Sequence, residues 1–259
     1  EDATTWPRAE RIAALNDFAE AVTAVDMKRL EGLVKQWMVK PPHRHEGYLE
    51  LLQLTPQVVG TLSAMSDGAR AILIRHTVRT AKGMADIVAR GDAKGNLQLD
   101  SVEDLKAYCY IVAGIVGELL TEVFLNDAPQ LESVREPLTA NMVAFGEGLQ
   151  LVNILKDSGD DAKDGRAYLP KGVDRDEVLD LAREDLDCAS RYIDALQRGG
   201  APEGYLGFTG ISVMLARAAL KVLESDGPGA KVSRLEVARL MGQLKATLAS
   251  GASMLQATG

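Results

Sequence analysis

The sequence is poor in the residues on which several protein classes depend. Of its 259 residues, two are cysteine, three are histidine and 5% are aromatic. Cys109 and Cys188 are too few for a disulfide scaffold and do not have the spacing of a metal site. We therefore expect a reduced, cytoplasmic chain with an ordinary apolar core, for which 46% hydrophobic residues are ample.

Long apolar runs and an excess of positive charge are missing as well. The apolar, uncharged stretch Gly204 to Ala216 has 13 residues and is too short to span a bilayer. No segment has the pattern of a signal peptide. The 29 basic and 37 acidic residues give a net charge of −8, which excludes non-specific binding to nucleic acid or an anionic membrane as the main function.

Helical periodicity is abundant. Apolar residues recur every three or four positions, and no segment alternates in the manner of a strand. No internal repeat of about 20–50 residues stands out. The sequence therefore predicts one all-α domain over 1–259. Its predicted helices are 9–25, 27–38, 56–90, 102–124, 134–158, 175–197, 206–224 and 232–249.

One predicted helix carries a polar stripe. Residues 141–170 read NMVAFGEGLQLVNILKDSGDDAKDGRAYLP. At about 100° per residue, Gln150, Asn153, Asp157 and Asp161 share an arc of roughly 80°. Carboxylates one turn apart are the hard oxygen ligands that Mg²⁺ shares with phosphate groups. The stripe predicts a Mg²⁺–diphosphate site, with a solvated helix end as the alternative, although acids in the last turns oppose the helix dipole.

The same segment resembles the second aspartate-rich motif of the squalene/phytoene synthase family, the head-to-head prenyltransferases. The family pattern has Gln and Asn before a D-x-x-x-D pair, then Gly-Arg, an aromatic residue and Leu-Pro. The matching residues are Gln150, Asn153, Asp157, Asp161, Gly165, Arg166, Tyr168, Leu169 and Pro170. The resemblance implies metal ligation by Asn153, Asp157 and Asp161, with Mn²⁺ as the alternative ion. It implies catalysis or diphosphate binding by Gln150, Lys156, Arg166 and Tyr168.

A second block, YCYIVAGIVG at 108–117, is similar to the family helix Y-C-x-x-V-A-G-x-V-G. By that resemblance, Tyr108 lies at the reacting centre. Small and apolar residues after it line a tunnel for the prenyl chains, namely Val112, Ala113, Val116, Gly117 and Leu120. Close helix packing is the alternative for the glycines, and an ordinary core position is the alternative for Tyr108.

The first aspartate-rich motif of the family, D-x-x-E-D, is missing between residues 3 and 95. The chain begins with Glu1-Asp2, followed by a short linker and an amphipathic helix, which is the family order after that motif. We therefore expect Glu1 and Asp2 to be its last two residues and further metal ligands. On this expectation the preceding helices are absent from the sequence; an accidental acidic terminus is the alternative.

Two other patterns are weaker. His43, His45 and Glu46 have a spacing that suits zinc, but they follow a Pro-Pro turn, so a surface loop is favoured. The segment 229–234, GAKVSR, resembles a helix-opening segment of bacterial family members, and no chemistry is assigned to it.

The resemblance implies an all-α bundle around a central apolar tunnel that joins two prenyl diphosphates, above all farnesyl diphosphate, head to head. Squalene, made with NADPH, is the first product; presqualene diphosphate, dehydrosqualene and phytoene are the alternatives. A non-catalytic assembly or scaffold protein of the same family is the alternative from another class. Peripheral membrane contact for product release is expected, and a monomer and a homodimer both stay open.

Overall fold

The computed structural model describes residues 3, 5–92, 96–163 and 165–259, apart from the side chains of Asp160 and Lys163. Within these ranges the chain is almost entirely helical, as its periodicity predicts. It divides into two compact units, residues 1–97 and 98–259. The single domain and its central tunnel stay predictions.

Among the described residues of the first unit, four α-helices are found. Their bounds are α1 (Arg8–Ala24), α2 (Met27–Val39), α3 (Glu46–Gly60) and α4 (Asp67–Arg90). α1 packs chiefly on α4, and α2 packs chiefly on α3. The buried centre of this unit consists of Ala21, Val22, Leu30 and Val59.

The predicted helix 56–90 is wrong in its bounds. α3 begins ten residues before Pro56, at a turn capped by the His45 side chain, and it continues through the proline. A 3-10 segment, Thr61–Ala64, then interrupts the helix, and the Ser66 hydroxyl caps the start of α4. Proline is common in the first turn of a helix, but Pro56 shows that it does not have to mark the start of one. A serine that caps a helix, such as Ser66, is a more direct start signal.

The part of the second unit that the structure describes contains seven α-helices. Their bounds are α5 (Val102–Cys109), α6 (Ile115–Asp127), α7 (Arg135–Lys163), α8 (Arg175–Arg198), α9 (Glu203–Asp226), α10 (Arg234–Ser250) and α11 (Met254–Thr258). The most extensive contact is between α7 and α8. Leu151, Leu155, Leu186 and Ile193 are fully buried there, so the apolar faces of these two helices form the core that holds α7 in place.

A π-helical segment, Tyr110–Gly114, joins α5 to α6 and interrupts the predicted helix. Two glycines bring this region against α7. A Cβ at Gly117 would lie 1.8 Å from the Met142 carbonyl oxygen, and one at Gly146 would lie 2.0 Å from that of Ala113. No larger residue permits this approach, so close helix packing is what the structure shows for Gly117.

In the described ranges, two short strands correct the expectation that the chain has none. β1 (Leu97–Gln98) pairs with β2 (Arg166–Ala167). The pairing continues at Leu99, whose backbone N–H donates to the Ala167 carbonyl over 3.1 Å. Strands of two residues are too short to show alternation in a sequence, which explains why the pattern misses them.

Two stretches, Val102–Asp127 and Glu203–Asp226, are long and apolar enough to cross a membrane by length and composition alone. In each, 44% of the apolar window is buried inside the protein, and the core helices of soluble proteins pass the same test. The prediction that no segment spans a bilayer therefore stays a prediction.

Candidate functional site

The predicted polar stripe lies on the C-terminal half of α7. Val152, Ile154 and Leu155 are buried in the second unit. Asn153 is exposed on this helix, and Asp157 is half-buried. Gln150, one turn before Asn153, is half-buried as well. The apolar residues thus anchor the helix in the core, while several predicted site residues stay accessible.

Each predicted carboxylate has a cation beside it. The Lys156 ammonium group lies 3.2 Å from Asp157 Oδ2, and Arg166 Nη2 lies 3.8 Å from Asp161 Oδ1. The second pair is the more shielded, with 18% of the Asp161 side chain exposed against 46% for Asp157. Since shielding from water strengthens electrostatic interactions, Arg166 should attract a bound anion more strongly than Lys156 does, and Asp161 should attract a bound cation more strongly than Asp157 does.

The two sequence blocks that carry the resemblance meet at a pair of tyrosines. Tyr108, on α5, and Tyr168, just after β2, stack with ring centroids 4.6 Å apart. Both are buried. Because Tyr168 follows Arg166 by two residues, the aromatic pair is joined directly to the acidic motif.

The predicted chain-lining residues lie on the π segment and α6. Val112, Ala113 and Leu120 are half-buried, and Val116 is exposed. Gly117 faces α7, as its close approach to that helix requires. That these residues line a path for prenyl chains stays a prediction.

Glu1 and Asp2, the predicted remnant of the first motif, lie outside the described residues. In the described part of the chain, no group of three or more His, Cys, Asp and Glu residues is arranged to hold a metal. The zinc alternative at His43 and His45 thus has no third ligand there, and the His45 backbone N–H donates to the His43 ring.

The donor set on α7 nevertheless fits Mg²⁺. Asp157 and Asp161 lie one helical turn apart, and Asn153 offers an amide oxygen. All three supply oxygen, and all three are at least partly open to solvent, which leaves room for water and phosphate oxygens. Mg²⁺ prefers this combination of few protein ligands with water and substrate.

A cavity of about 420 Å³ lies between α7, α9 and the segment that joins α9 to α10. Its lining residues are Leu149, Val152, Asn153, Lys156, Ser212, Leu215, Ala216, Ala219, Ala230, Lys231 and Val232. Lys231 belongs to the GAKVSR segment, to which the sequence analysis assigns no chemistry. The sequence shows that Lys231 is basic, but nothing in the sequence indicates that Lys231 lies near α7.

A second charged cluster, also missed in the sequence, lies where α7 meets α5 and α8. Burial and the nearby Asp185 carboxylate raise the pKa of Glu147 to about 7, against the effect of Lys106. Burial likewise raises the pKa of Asp185 to about 6. Burial also raises the pKa of the Cys109 thiol, with Glu147 and Asp185 adding to it, so this cysteine is not an activated nucleophile.

Comparisons with known sequences agree with the resemblance of the acidic motif. A family model, squalene/phytoene synthase, matches residues 1–173. A probable squalene synthase of Neurospora crassa is 30% identical over 175 residues, which cover 67% of this chain and 34% of that protein. Chloroplastic phytoene synthase 1 of Solanum lycopersicum is 39% identical over 93 residues, covering 36% of this chain and 21% of that protein. The chain thus spans about a third of these relatives or less.

Solved structures show the same fold. The complex of TcSQS with the ligand BPH1237 matches with a TM-score of 0.68 and 19% identity, covering 98% of this chain and 73% of that one. Its complex with E5700 matches with a TM-score of 0.66 and 18% identity, covering 97% of this chain and 77% of that one. These matches confirm the predicted all-α fold.

Proposed function

Because this chain belongs to the squalene/phytoene synthase family, whose model matches it over residues 1–173, we propose that it joins two prenyl diphosphates head to head. The observation that carries the proposal is the intact second acidic motif, in which Asp157 and Asp161 stand beside Lys156 and Arg166. Alternating carboxylates and cations suit a metal-bound diphosphate, whereas carboxylates alone would repel it.

Asn153, Asp157 and Asp161 would hold Mg²⁺, with Mn²⁺ as the alternative ion. When bound, the ion neutralises the diphosphate and stabilises the charge that develops as it leaves. We propose Glu1 and Asp2, which lie outside the described residues, as further ligands for the second diphosphate.

The basic and amide groups act on the same leaving group. Lys156 and Arg166 are placed to take up the negative charge that develops on the diphosphate oxygens. Gln150, on the same helix face, is proposed to donate a hydrogen bond to the diphosphate. These contacts strengthen as the carbon–oxygen bond breaks, so they favour ionisation over simple binding.

Departure of the diphosphate leaves an allylic cation, which needs an environment without water. Tyr108 and Tyr168 stack on each other. The ring faces that point away from this stack are the electron-rich surfaces that would attract a cation. The apolar residues of the π segment and α6 hold the chains against each other and keep water away. These are Val112, Ala113, Val116 and Leu120, while Gly117 acts on the proposed wall indirectly, by letting α6 approach α7.

We propose farnesyl diphosphate as the substrate and squalene as the product, with NADPH as the hydride donor. The relative named as a squalene synthase aligns over a larger share of this chain than the phytoene synthase does. Dehydrosqualene, phytoene and presqualene diphosphate are the products to be tested against it. Since the product is a hydrocarbon, we propose peripheral membrane contact for its release.

Product analysis tests this function. The full-length protein is incubated with farnesyl or geranylgeranyl diphosphate, with and without Mg²⁺ and NADPH, and the lipid extract is analysed by mass spectrometry. We expect metal-dependent squalene from farnesyl diphosphate in the presence of NADPH. No metal-dependent turnover of either substrate would overturn the proposal and favour a non-catalytic role.

A further inference from the structure

A cavity of about 180 Å³ lies within the first unit, among α1, α2 and α3. Its described lining includes four aromatic residues, namely Trp6, Phe18, Trp37 and Tyr48. Two of them are the only tryptophans of a chain that is 5% aromatic. Since an apolar cavity of about 150 Å³ can hold one benzene molecule, this cavity suits one aromatic ring with a short side arm.

Hydrogen bonds within the chain hold part of this aromatic wall in place. The Trp6 indole N–H donates to the Lys40 carbonyl oxygen over 2.6 Å, and the Thr5 backbone N–H donates to the Pro42 carbonyl oxygen over 3.2 Å. The rings of Trp6 and Trp37 lie 6.4 Å apart, with their planes inclined by 57°. Because the wall is ordered by the chain itself, a ligand loses little affinity to the cost of ordering it.

One cation faces this aromatic wall. Arg11, on α1, is the one charged residue among the described residues that line the cavity. Its guanidinium group has five N–H donors in a plane, an arrangement that matches both oxygens of a carboxylate. Aromatic faces alone also attract organic cations, but the positive charge of Arg11 repels them. The ligand that suits both the wall and Arg11 is therefore an aromatic ring that carries a carboxylate.

We propose that this cavity binds a small aromatic carboxylate, with its ring against the tryptophans and its carboxylate on Arg11. The site lies within the first unit and uses none of the residues that are proposed to act on the diphosphates. The inference therefore goes beyond the proposed function and does not depend on it.

Nitrogen–proton correlation NMR tests the site directly, because the sequence contributes one indole N–H signal from each of its two tryptophans. Titration with phenylacetate should shift both signals in a saturable way, with a Kd on the order of 1 mM or below for a ligand with so few atoms. Phenylacetamide has the same shape without the charge, so it should bind about tenfold more weakly. Benzylamine, which is a cation, should leave both signals in place.

Substitution of the arginine separates the carboxylate contact from the aromatic wall. Arg11→Gln should weaken phenylacetate binding about tenfold, the effect of losing a hydrogen-bonded charge, and should leave phenylacetamide affinity unchanged. The matched control is Arg44→Gln, which removes an exposed arginine outside the cavity lining of the same unit. The control should bind phenylacetate like the wild type.

A second variant tests the cavity without changing any charge. Ala14 lines the cavity from α1, so Ala14→Leu should fill part of the space and abolish binding of phenylacetate and phenylacetamide alike. Ala9→Leu is its control, because Ala9 is an exposed residue of the same helix outside the cavity lining. This pair decides the question if Arg11→Gln does not fold.

Four results would overturn the inference. The first is that phenylacetate causes no saturable shift of the indole signals, and the second is that phenylacetamide or benzylamine binds at least as tightly. The third is that a folded Arg11→Gln variant keeps the wild-type affinity for phenylacetate. The fourth is that a folded Ala14→Leu variant keeps it, which would place the ligand outside this cavity.

Discussion

The ring of Tyr108 stacks on the ring of Tyr168, with centroids 4.6 Å apart and planes inclined by 28°. Aromatic pairs of this kind contribute about 0.5–1.5 kcal/mol beyond the burial of their surface. The contact joins α5 to the segment that follows the acidic motif. The proposed reacting-centre helix and the proposed diphosphate site therefore form one structural unit.

Removing the Tyr108 hydroxyl should affect turnover rather than folding. Tyr108→Phe keeps the ring and its stack, so the free energy of unfolding should change by less than about 1.5 kcal/mol. Turnover should fall at least about tenfold, because we propose that the Tyr108 hydroxyl, besides the ring face, donates or accepts a proton at the reacting centre. Steady-state kinetics and denaturant unfolding measure the two effects.

The control is Tyr192→Phe, which removes a buried hydroxyl that lies 2.9 Å from Thr121 Oγ1. It should cost about 1 kcal/mol of stability and leave turnover unchanged. Equal loss of turnover in both variants would show that Tyr108 is an ordinary core residue.

Adding a methyl group to Gly117 should destabilise the protein strongly. Its Cβ would lie 1.8 Å from the Met142 carbonyl oxygen, so α6 and α7 must separate. We expect Gly117→Ala to cost about 3 kcal/mol or more, at the upper end for overpacking. Gly242→Ala is the control, because a Cβ on α10 meets nothing within 4 Å.

The Gly242→Ala control should stabilise the protein by about 0.5–1 kcal/mol, since alanine favours a helix more than glycine does. Thermal unfolding of both variants measures the difference. A Gly117→Ala variant as stable as the wild type would contradict the close contact between α6 and α7.

Glu147 and Asp185 should make stability fall as the pH rises. In the folded state their pKa values are about 7 and about 6, above their ordinary values of 4.5 and 3.8. The folded protein therefore holds these protons to higher pH than the unfolded chain. The free energy of unfolding should decrease between about pH 4 and pH 7 and then level off.

Glu147→Gln should reduce this decrease, so its melting temperature should gain more at pH 8 than at pH 5. The groups around Glu147 and Asp185 that also act are Lys106, Cys109 and Glu184. Glu132→Gln serves as the control because a hydrogen bond from Arg135 lowers the pKa of that carboxyl, which gives the opposite sign. An equal shift of the Glu147→Gln melting temperature at both pH values would contradict the burial of this carboxyl.

Replacing Gly229 by alanine should weaken substrate binding, whereas the same replacement at Gly251 should not. Both glycines have positive φ, and a Cβ at either meets nothing within 4 Å. Alanine should therefore cost a similar amount at each, about 1–2 kcal/mol. Only Gly229→Ala should raise the KM for prenyl diphosphate, because only that loop is bonded to Lys156. Equal KM values in the two variants would separate the loop from the site.

Much of the helical architecture could be predicted because periodicity reports directly on burial. The predicted start and end of the helix that became α8 lie within one residue of those observed. α3 was misplaced, since Pro56 was read as a start although a helix can continue through it. The π segment could not be foreseen, because it forms where Gly114 and Gly117 pack against α7, a contact between distant parts of the chain.

The sequence predicts those parts of the candidate site whose residues are neighbours along the chain or match a family motif. Asp157, Asp161 and Arg166 belong to one run, so their proximity follows from one helix and the turn after it. The position of Lys231 could not be predicted, because the Gly229 backbone hydrogen bond to Lys156 is what brings this loop to α7. Glu147 has no signal of its own in the sequence, since its burial near Asp185 depends on how α7 packs on α8.

The release of inorganic diphosphate from farnesyl diphosphate, measured across a Mg²⁺ titration, tests the central claim most directly. The comparison is between the wild type, Asp161→Asn and, as control, Asp187→Asn, which alters an exposed carboxylate paired with Arg217 on α9. We predict saturable, Mg²⁺-dependent release in the wild type and the control, and a loss of at least about a hundredfold in Asp161→Asn, in line with removal of one transition-state contact. Release that does not depend on Mg²⁺, or that is equal in a folded Asp161→Asn variant, would contradict the account.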